Sequence, residues 1–101
     1  MSLSKPLLKQ RKRSILGITR DILQTCMDGG IKGVLASEVS RKANLSYDAV
    51  VHNCTRLINA GLIKTVRYKR YYIFIITEKG IKFFQEFQRF QDAIKDLNIR
   101  Y

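Results

Sequence analysis

The sequence is poor in the residues from which catalytic and metal sites are built. It has one histidine and two cysteines in 101 residues, too few for a zinc site of the usual spacing. It also lacks a glycine-rich phosphate loop, a carboxylate pair suited to a pocket, and a nucleophile spaced from a base as in known motifs. We therefore expect no enzyme, no cofactor and no small-molecule ligand. Cys26 and Cys54 lie on apolar helix faces and are expected to be small buried hydrophobes.

Long apolar segments and acidic residues are scarce as well. No run approaches the roughly 20 residues of a transmembrane helix, and no apolar segment follows the basic N-terminus as in a signal peptide. We therefore expect a cytoplasmic protein. Only 8 acidic residues stand against 19 lysines and arginines, for a net charge of +11. That excess indicates an anionic partner, most often nucleic acid and less often a membrane surface or a ribonucleoprotein neighbour.

Residues 35–63 (LASEVSRKANLSYDAVVHNCTRLINAGLI) show the pattern of two helices joined by a tight turn. Asn44 tolerates the left-handed conformation that the turn needs, and Leu45 is expected to be a buried plug. Ser37 and Ser46 are expected to cap the two helices, and Gly61 ends the second. The apolar residues at helical spacing are Val39, Ala43, Leu45, Val50, Cys54, Leu57 and Ile58. This pattern predicts a helix-turn-helix whose second helix, residues 46–60, presents its polar side to a DNA major groove.

The segment before the two helices predicts one more helix and a short strand. The helix spans residues 14–28, with Ser14 as its cap. Its core face is expected to comprise Ile15, Ile18, Ile22, Leu23 and Cys26. Residues 31–35 can hold one short strand. Residues 1–13 form a basic leader, which is either a solvated segment or an arm that follows phosphates or enters a minor groove.

Residues 62–77 (LIKTVRYKRYYIFIIT) are rich in β-branched and aromatic residues and contain no glycine or proline. They predict two strands, residues 63–67 and 72–76, with the hairpin tip near Tyr68–Tyr71. The tip is basic and aromatic, and the lack of glycine leaves its turn type open. A cationic hairpin beside a helix-turn-helix is typical of a DNA-contacting wing, although an ordinary solvated hairpin is the alternative. The order helix, short strand, helix, helix, hairpin predicts a mainly helical α+β fold, the winged helix-turn-helix.

The chain ends in one long predicted helix, which follows Thr77. Its large apolar residues alternate at spacings of four and three, as in a coiled-coil seam, and form a stripe narrower than a globular core requires. The seam comprises Phe83, Phe87, Phe90, Ile94, Leu97 and Tyr101. It predicts a homodimer through this helix, and the alternative is a helix packed onto its own domain. The seam by itself leaves parallel and antiparallel pairing open.

Two segments resemble the small archaeal winged-helix DNA-binding proteins that are classed as predicted transcriptional regulators. They are KANLSYDAVVHNCTRLINAGLIK (residues 42–64) and IFIITEKGIKFF (residues 73–84). The resemblance extends over residues 14–101, but the wing here is unusually aromatic and basic. It implies DNA binding and a homodimer in which the last helices pair as an antiparallel coiled coil. We accordingly divide the chain into the leader (1–13), a winged-helix DNA-binding domain (14–78) and a dimerisation helix (79–101).

The exposed side of the predicted recognition helix provides candidates for base contact: Tyr47, Val51, His52, Thr55 and Arg56. Arg56 can address guanine or hold a phosphate, and Val51 can touch a thymine methyl. His52 is equally expected to be an ordinary exposed residue, and Asp48 to interact with the helix dipole. The predicted phosphate and wing contacts are Lys32, Arg41, Lys42, Ser46, Lys64, Arg67, Tyr68, Lys69, Arg70 and Tyr71.

These features favour a DNA-binding transcriptional regulator that acts as a homodimer and is associated with the nucleoid. Two alternatives stay open. One is an architectural, chromatin-like protein that coats or bridges DNA without strong sequence choice. The other is a winged helix that makes protein contacts in a transcription or RNA-processing assembly, with the aromatic wing binding the partner. Polar residues on the recognition helix lean towards sequence readout.

Overall fold

Four α-helices, one 3₁₀ turn and three strands make up residues 13–97, the part of the chain that the computed structural model describes. In chain order they are α1 (Ile15–Gly29), the 3₁₀ turn (Gly30–Lys32), β1 (Val34–Leu35), α2 (Ala36–Ala43), α3 (Tyr47–Asn59), β2 (Ile63–Tyr68), β3 (Tyr71–Ile76) and α4 (Glu78–Asp96). This order confirms the predicted mainly helical winged helix-turn-helix. The predicted leader up to residue 12, and the last seam residue, Tyr101, lie outside the described residues.

Helix α1 begins at the predicted cap and buries most of the predicted face. The Ser14 hydroxyl accepts a hydrogen bond from the Gly17 N–H at 2.8 Å, which satisfies one of the free N–H groups of the first turn. Ile22, Leu23 and Cys26 are fully buried. The prediction was wrong for Ile15, which is 56% exposed, because it precedes the part of α1 that the other elements cover.

The turn between α2 and α3 has the predicted left-handed residue. Asn44 adopts φ 56° and ψ 57°, and the Leu45 N–H donates to the Ser40 carbonyl at 2.9 Å. The Ser40 hydroxyl donates to the Leu45 carbonyl at 2.6 Å, so one small residue satisfies both backbone groups of Leu45. Leu45 itself is only half-buried, not the buried plug that was predicted.

The caps of α2 and α3 differ. The Ser46 hydroxyl accepts from the Ala49 N–H at 3.1 Å, as predicted for the start of α3. Ser37 is not a cap, because α2 already begins at Ala36. There the Glu38 carboxylate accepts from the Leu35 N–H at 2.9 Å.

The three strands form an antiparallel sheet in the order β1-β3-β2. Val34 pairs with Phe74, and Ile63 pairs with Ile76. The hairpin ends at the pair Tyr68–Tyr71, so its strands are slightly longer than predicted and only Lys69 and Arg70 form the turn. Buried residues of α1, α2, α3 and the sheet meet in one core.

Helix α4 closes this core with its first half. The Thr77 hydroxyl accepts from the Gly80 N–H at 3.0 Å and donates to the Gly61 carbonyl at 2.6 Å. A Cβ at Gly80 would collide with the Leu62 carbonyl oxygen. Glycine at this position is therefore what allows α4 to approach the segment between α3 and β2 so closely.

The predicted seam of α4 is not one continuous exposed stripe. Phe87 is buried and Phe83 is partly buried, and their ring centroids lie 6.2 Å apart. Phe84, which is outside the seam, joins the core. Phe90 and Leu97, by contrast, are 56% and 68% exposed. The first half of α4 therefore packs onto its own chain, and the seam remains available for pairing only in the second half. Each helix within residues 13–97 is too short or too polar to span a lipid bilayer.

Candidate nucleic-acid interface

Helix α3 is held from one side and open on the other. Val50, Cys54 and Leu57 are buried in the core, which fixes how the helix is rotated about its axis. The predicted base-contact residues, Tyr47, Val51, His52, Thr55 and Arg56, are all exposed. Val51, His52, Thr55 and Arg56 lie on the exposed side of the helix, as the helical spacing predicts. Tyr47, seven residues before the buried Cys54, has the same direction as the core face and is exposed because it begins the helix.

Some polar side chains of α3 are already used within the helix. The Thr55 hydroxyl donates to the Val51 carbonyl at 2.7 Å, and the Asn53 amide donates to the Ala49 carbonyl at 2.8 Å. The Thr55 oxygen can still accept a hydrogen bond, but its proton is engaged. Thr55 is therefore suited to accept from a donor such as a base amino group, whereas Arg56 can only donate.

Positive charge is concentrated from α3 to the wing, which we define as residues 67–72. No acidic residue occurs between Asp48 and Glu78. The cations of this stretch are all exposed: Arg56, Lys64, Arg67, Lys69 and Arg70. Because this stretch contains no carboxylate to neutralise them, these exposed cations attract anions.

The wing tip has an unusual backbone and two contacts between cations and aromatic rings. Lys69 has a φ of +57°, a value that hairpin turns of two residues normally reserve for glycine or asparagine. The Lys69 ammonium lies 5.4 Å from the centroid of the Tyr68 ring. The Arg67 guanidinium lies 5.6 Å from the centroid of the Tyr72 ring, and its Nε donates to the Lys69 carbonyl at 3.2 Å.

The remaining predicted phosphate contacts lie outside the wing and α3. Lys32 ends the 3₁₀ turn, and Arg41 and Lys42 lie in the last turn of α2; all three are exposed. The two residues of α2 also interact favourably with the negative end of the helix dipole. Ser46, in contrast, uses its hydroxyl oxygen to cap α3.

Arg13 has a role that the sequence pattern did not indicate. We assigned it to the basic leader, but its guanidinium donates to the carbonyls of Ala43 at 2.9 Å and of Asn44 at 3.1 Å. It also forms an ion pair with Asp21 at 2.6 Å. Arg13 therefore braces the turn that precedes α3. The one signal in the sequence is Asn44, whose left-handed conformation ends α2 and leaves carbonyls there without a helical partner. Such carbonyls need a donor, but the sequence does not show that Arg13 provides it.

The two thiols are unsuited to metal binding or nucleophilic attack. Burial raises the pKa of Cys26 to about 12, with a smaller contribution from Cys54. Burial also raises the pKa of Cys54 to about 11. The reactive thiolate is therefore suppressed at neutral pH, and both residues are buried as predicted. Residues 13–97 contain no cluster of histidine, cysteine and acidic residues that can hold a metal ion.

Comparison with known proteins agrees with this architecture. A profile of the winged helix-turn-helix family matches residues 12–95. Sso10a-2, a DNA-binding protein from Sulfolobus solfataricus, superimposes with a TM-score of 0.74 at 22% identity, over 85% of this chain and 86% of that one. No protein with a curated description matches the chain.

Two further solved structures have the same fold. The transcriptional regulator BldR from Sulfolobus solfataricus has a TM-score of 0.70 at 17% identity, over 79% of this chain and 58% of its own length. A MarR family protein from Bacillus stearothermophilus has a TM-score of 0.66 at 26% identity, over 91% of this chain and 70% of its own. Both similarities extend over more than three quarters of this chain.

Proposed function

Because this chain belongs to the winged helix-turn-helix family, we propose that it binds double-stranded DNA as a transcriptional regulator. Helix α3 lies in the major groove, and the wing contacts the phosphate backbone or the minor groove. The observation that carries this proposal is the stretch between Asp48 and Glu78. It contains no acidic residue, and all its cations are exposed on α3, β2 and the wing.

Base readout is assigned to the exposed face of α3. Tyr47 is 64% exposed and Val51 is 46% exposed, so a large ring and a branched apolar side chain face solvent there. An exposed valine suits the thymine methyl, and Arg56 suits O6 and N7 of guanine. His52 and Thr55 add polar groups to the same face. A surface of mixed chemistry is better suited to base readout than a uniformly cationic one.

Phosphate contact is assigned to the cations around this face. Arg67, Lys69 and Arg70 extend from the hairpin, and Lys64 precedes them on β2. Lys32, Arg41 and Lys42 add charge from the 3₁₀ turn and α2, and the N-terminus of α3 near Ser46 offers free N–H groups. If about eight phosphates are neutralised per bound unit, the slope of log K against log salt is about −7.

We assign homodimerisation to the second half of α4. Phe90 and Leu97 are more than half exposed, and Ile94, one turn from each, is partly buried. Ile15 and Leu16 at the start of α1 are also exposed, at 56% and 45%. Such a set of large apolar side chains gains stability when a second copy covers it. Dimerisation would present two copies of α3 to two half-sites.

An architectural role is the second candidate, and one observation favours it. Arg56 is the only cation on the face of α3 that is proposed to read bases, whereas most of the exposed charge surrounds that face. Charge outside the reading helix increases affinity for all sequences alike. Either role places the protein on DNA in the cytoplasm, associated with the nucleoid.

A salt titration of affinity, with the mass of the complex measured in parallel, tests the proposal. The duplexes are one of random sequence and the best binder selected from a random pool. A selected site bound at least about a hundredfold more tightly, by a dimer, supports the regulator. Equal and steeply salt-dependent binding of both duplexes supports the architectural role. Absence of binding near physiological salt contradicts both and indicates a protein partner instead.

A further inference from the structure

The two faces of the β2–β3 hairpin have different chemistry. Side chains alternate between faces along a strand, and directly paired residues share a face. Ile63 and Ile76 are paired and buried in the core. By alternation, the paired residues Arg67 and Tyr72 lie on the same face of the sheet as Ile63 and Ile76. They are nearer the hairpin tip, where the core no longer covers that face. Tyr68 pairs with Tyr71, and this pair lies on the opposite, outer face of the sheet.

The outer face is aromatic and apolar where it is most accessible. Tyr68 is 59% exposed and Tyr71 is 56% exposed, and they are the last pair before the turn. Directly paired side chains on one face have Cβ atoms about 4.5–5.5 Å apart, so the two tyrosines leave the backbone next to each other. Val66, which is 38% exposed, lies on the same outer face, two residues farther from the hairpin tip.

We propose that the Tyr68–Tyr71 pair is a stacking platform for the unpaired bases of a nucleic-acid single strand. Exposed aromatic rings on a sheet bind bases because each base has a π-face, whatever its sequence. The proposal rests on the assignment of nucleic acid as the partner. It extends that assignment from duplex DNA to an exposed or melted strand.

The charges around the pair select this occupant over an apolar protein surface. Lys69 and Arg70 form the turn directly between the two tyrosines, and no acidic residue occurs between Asp48 and Glu78. A strand that places its bases on the rings therefore places its phosphates beside two cations. The Lys69 ammonium, 5.4 Å from the Tyr68 centroid, already uses one face of that ring and can shift on its flexible stem to a phosphate.

A purely structural role for the pair makes a different prediction. Cross-strand aromatic pairs stabilise hairpins, and such a role requires only that the rings contact each other. It would leave affinity independent of the bases in the strand. The stacking platform instead makes affinity depend on the bases while the phosphates stay the same.

The test compares a short oligothymidine with the same backbone made fully abasic, at one salt concentration, by fluorescence anisotropy of the labelled strand. The wild-type protein is expected to bind the intact strand about tenfold or more tightly than the abasic one. The double variant Y68L/Y71L is expected to reduce this ratio to below about twofold, and Y68F/Y71F to retain it. Equal binding of both strands by the wild type, or a ratio unchanged in Y68L/Y71L, overturns the proposal.

A second measurement remains decisive if the leucine variant does not fold. The chain contains no tryptophan, so Tyr71→Trp introduces a single indole at the platform. Its fluorescence is expected to be quenched by oligothymidine and not by the abasic strand; quenching by neither contradicts stacking. Repeating the titration with oligouridine shows whether a DNA or an RNA strand is preferred, and a base-dependent ratio on either supports the platform.

The two proposals fail separately. A wild-type protein that selects a duplex site but binds intact and abasic strands equally retains the regulator and loses the platform. A protein that binds the intact strand more tightly than the abasic one but prefers no duplex site retains the platform and loses the regulator.

Discussion

The recognition helix α3 and the wing differ in how the rest of the chain supports them. Helix α3 is fixed by three buried side chains, by the Ser46 cap, and by Arg13 on the turn before it. Residues 66–72, by contrast, are all exposed and are held mainly by the pairing of β2 with β3. The position of α3 therefore depends on the folded core, whereas side chains of the wing can be substituted without unfolding the domain.

This difference separates two kinds of variant. A change on the buried side of α3 is expected to act mainly through stability, and a change of a charged wing side chain mainly through affinity. Changes on the exposed side of α3 are expected to alter affinity with little loss of stability, because the buried side alone fixes the orientation of the helix.

The largest effect is expected for the core side of α3. Leu57→Ala removes a side chain that is only 6% exposed, and is expected to destabilise the fold by about 2–5 kcal/mol. The truncation Val66→Ala in the hairpin, where the side chain is 38% exposed, is expected to cost about 1 kcal/mol or less. Urea unfolding followed by far-UV circular dichroism measures both. Similar losses for the two variants would contradict the comparison.

Changes to exposed cations of α3 and of the wing are expected to affect DNA affinity differently. Arg56→Gln is expected to weaken binding of the selected duplex by about 1–3 kcal/mol and to affect random duplex much less. The triple variant R67Q/K69Q/R70Q is expected to weaken both duplexes equally. With three fewer phosphate contacts, its slope of log K against log salt is shallower by about 2.7. A triple variant with an unchanged slope would remove the wing from the phosphate contacts.

A smaller effect is expected at the start of α3. Ser46→Ala removes the hydroxyl that accepts from the Ala49 N–H, at a cost of about 1 kcal/mol. Ser37→Ala is the control, because Ser37 is exposed within α2 and is not its cap. Thermal unfolding should show a lower midpoint for the first variant only. Equal midpoints would mean that Ser46 contributes no more than an ordinary surface serine.

The smallest effect is expected at the wing turn. Lys69→Gly relieves the positive φ of +57° and loses chain entropy in return, so the net stabilisation is expected to be below about 1 kcal/mol. Lys69→Ala removes the same charge but keeps the Cβ, and is not expected to stabilise. The difference between their thermal midpoints isolates the backbone term. A midpoint for the glycine variant at or below that of the alanine variant would show that the turn is not strained.

Local signals in the sequence were sufficient for most of the elements. Asn44, Ser14 and Ser46 have side chains whose chemistry is decided by their immediate neighbours, and each has the predicted role. The tyrosines and cations of the wing were likewise identifiable by composition. Their assignment to two faces was not, because it depends on the register at the Tyr68–Tyr71 pair.

The residues by themselves therefore determined the order of the elements, the caps at Ser14 and Ser46, the charge and the polar face of α3. Only the tertiary structure decided which side of α4 is buried, because Phe83, Phe84 and Phe87 are equally apolar and their burial depends on where the core lies. It also decided that Arg13 braces the turn before α3, and that Gly80 must lack a side chain. These last roles arise between residues far apart in the chain, where periodicity gives no information about distance.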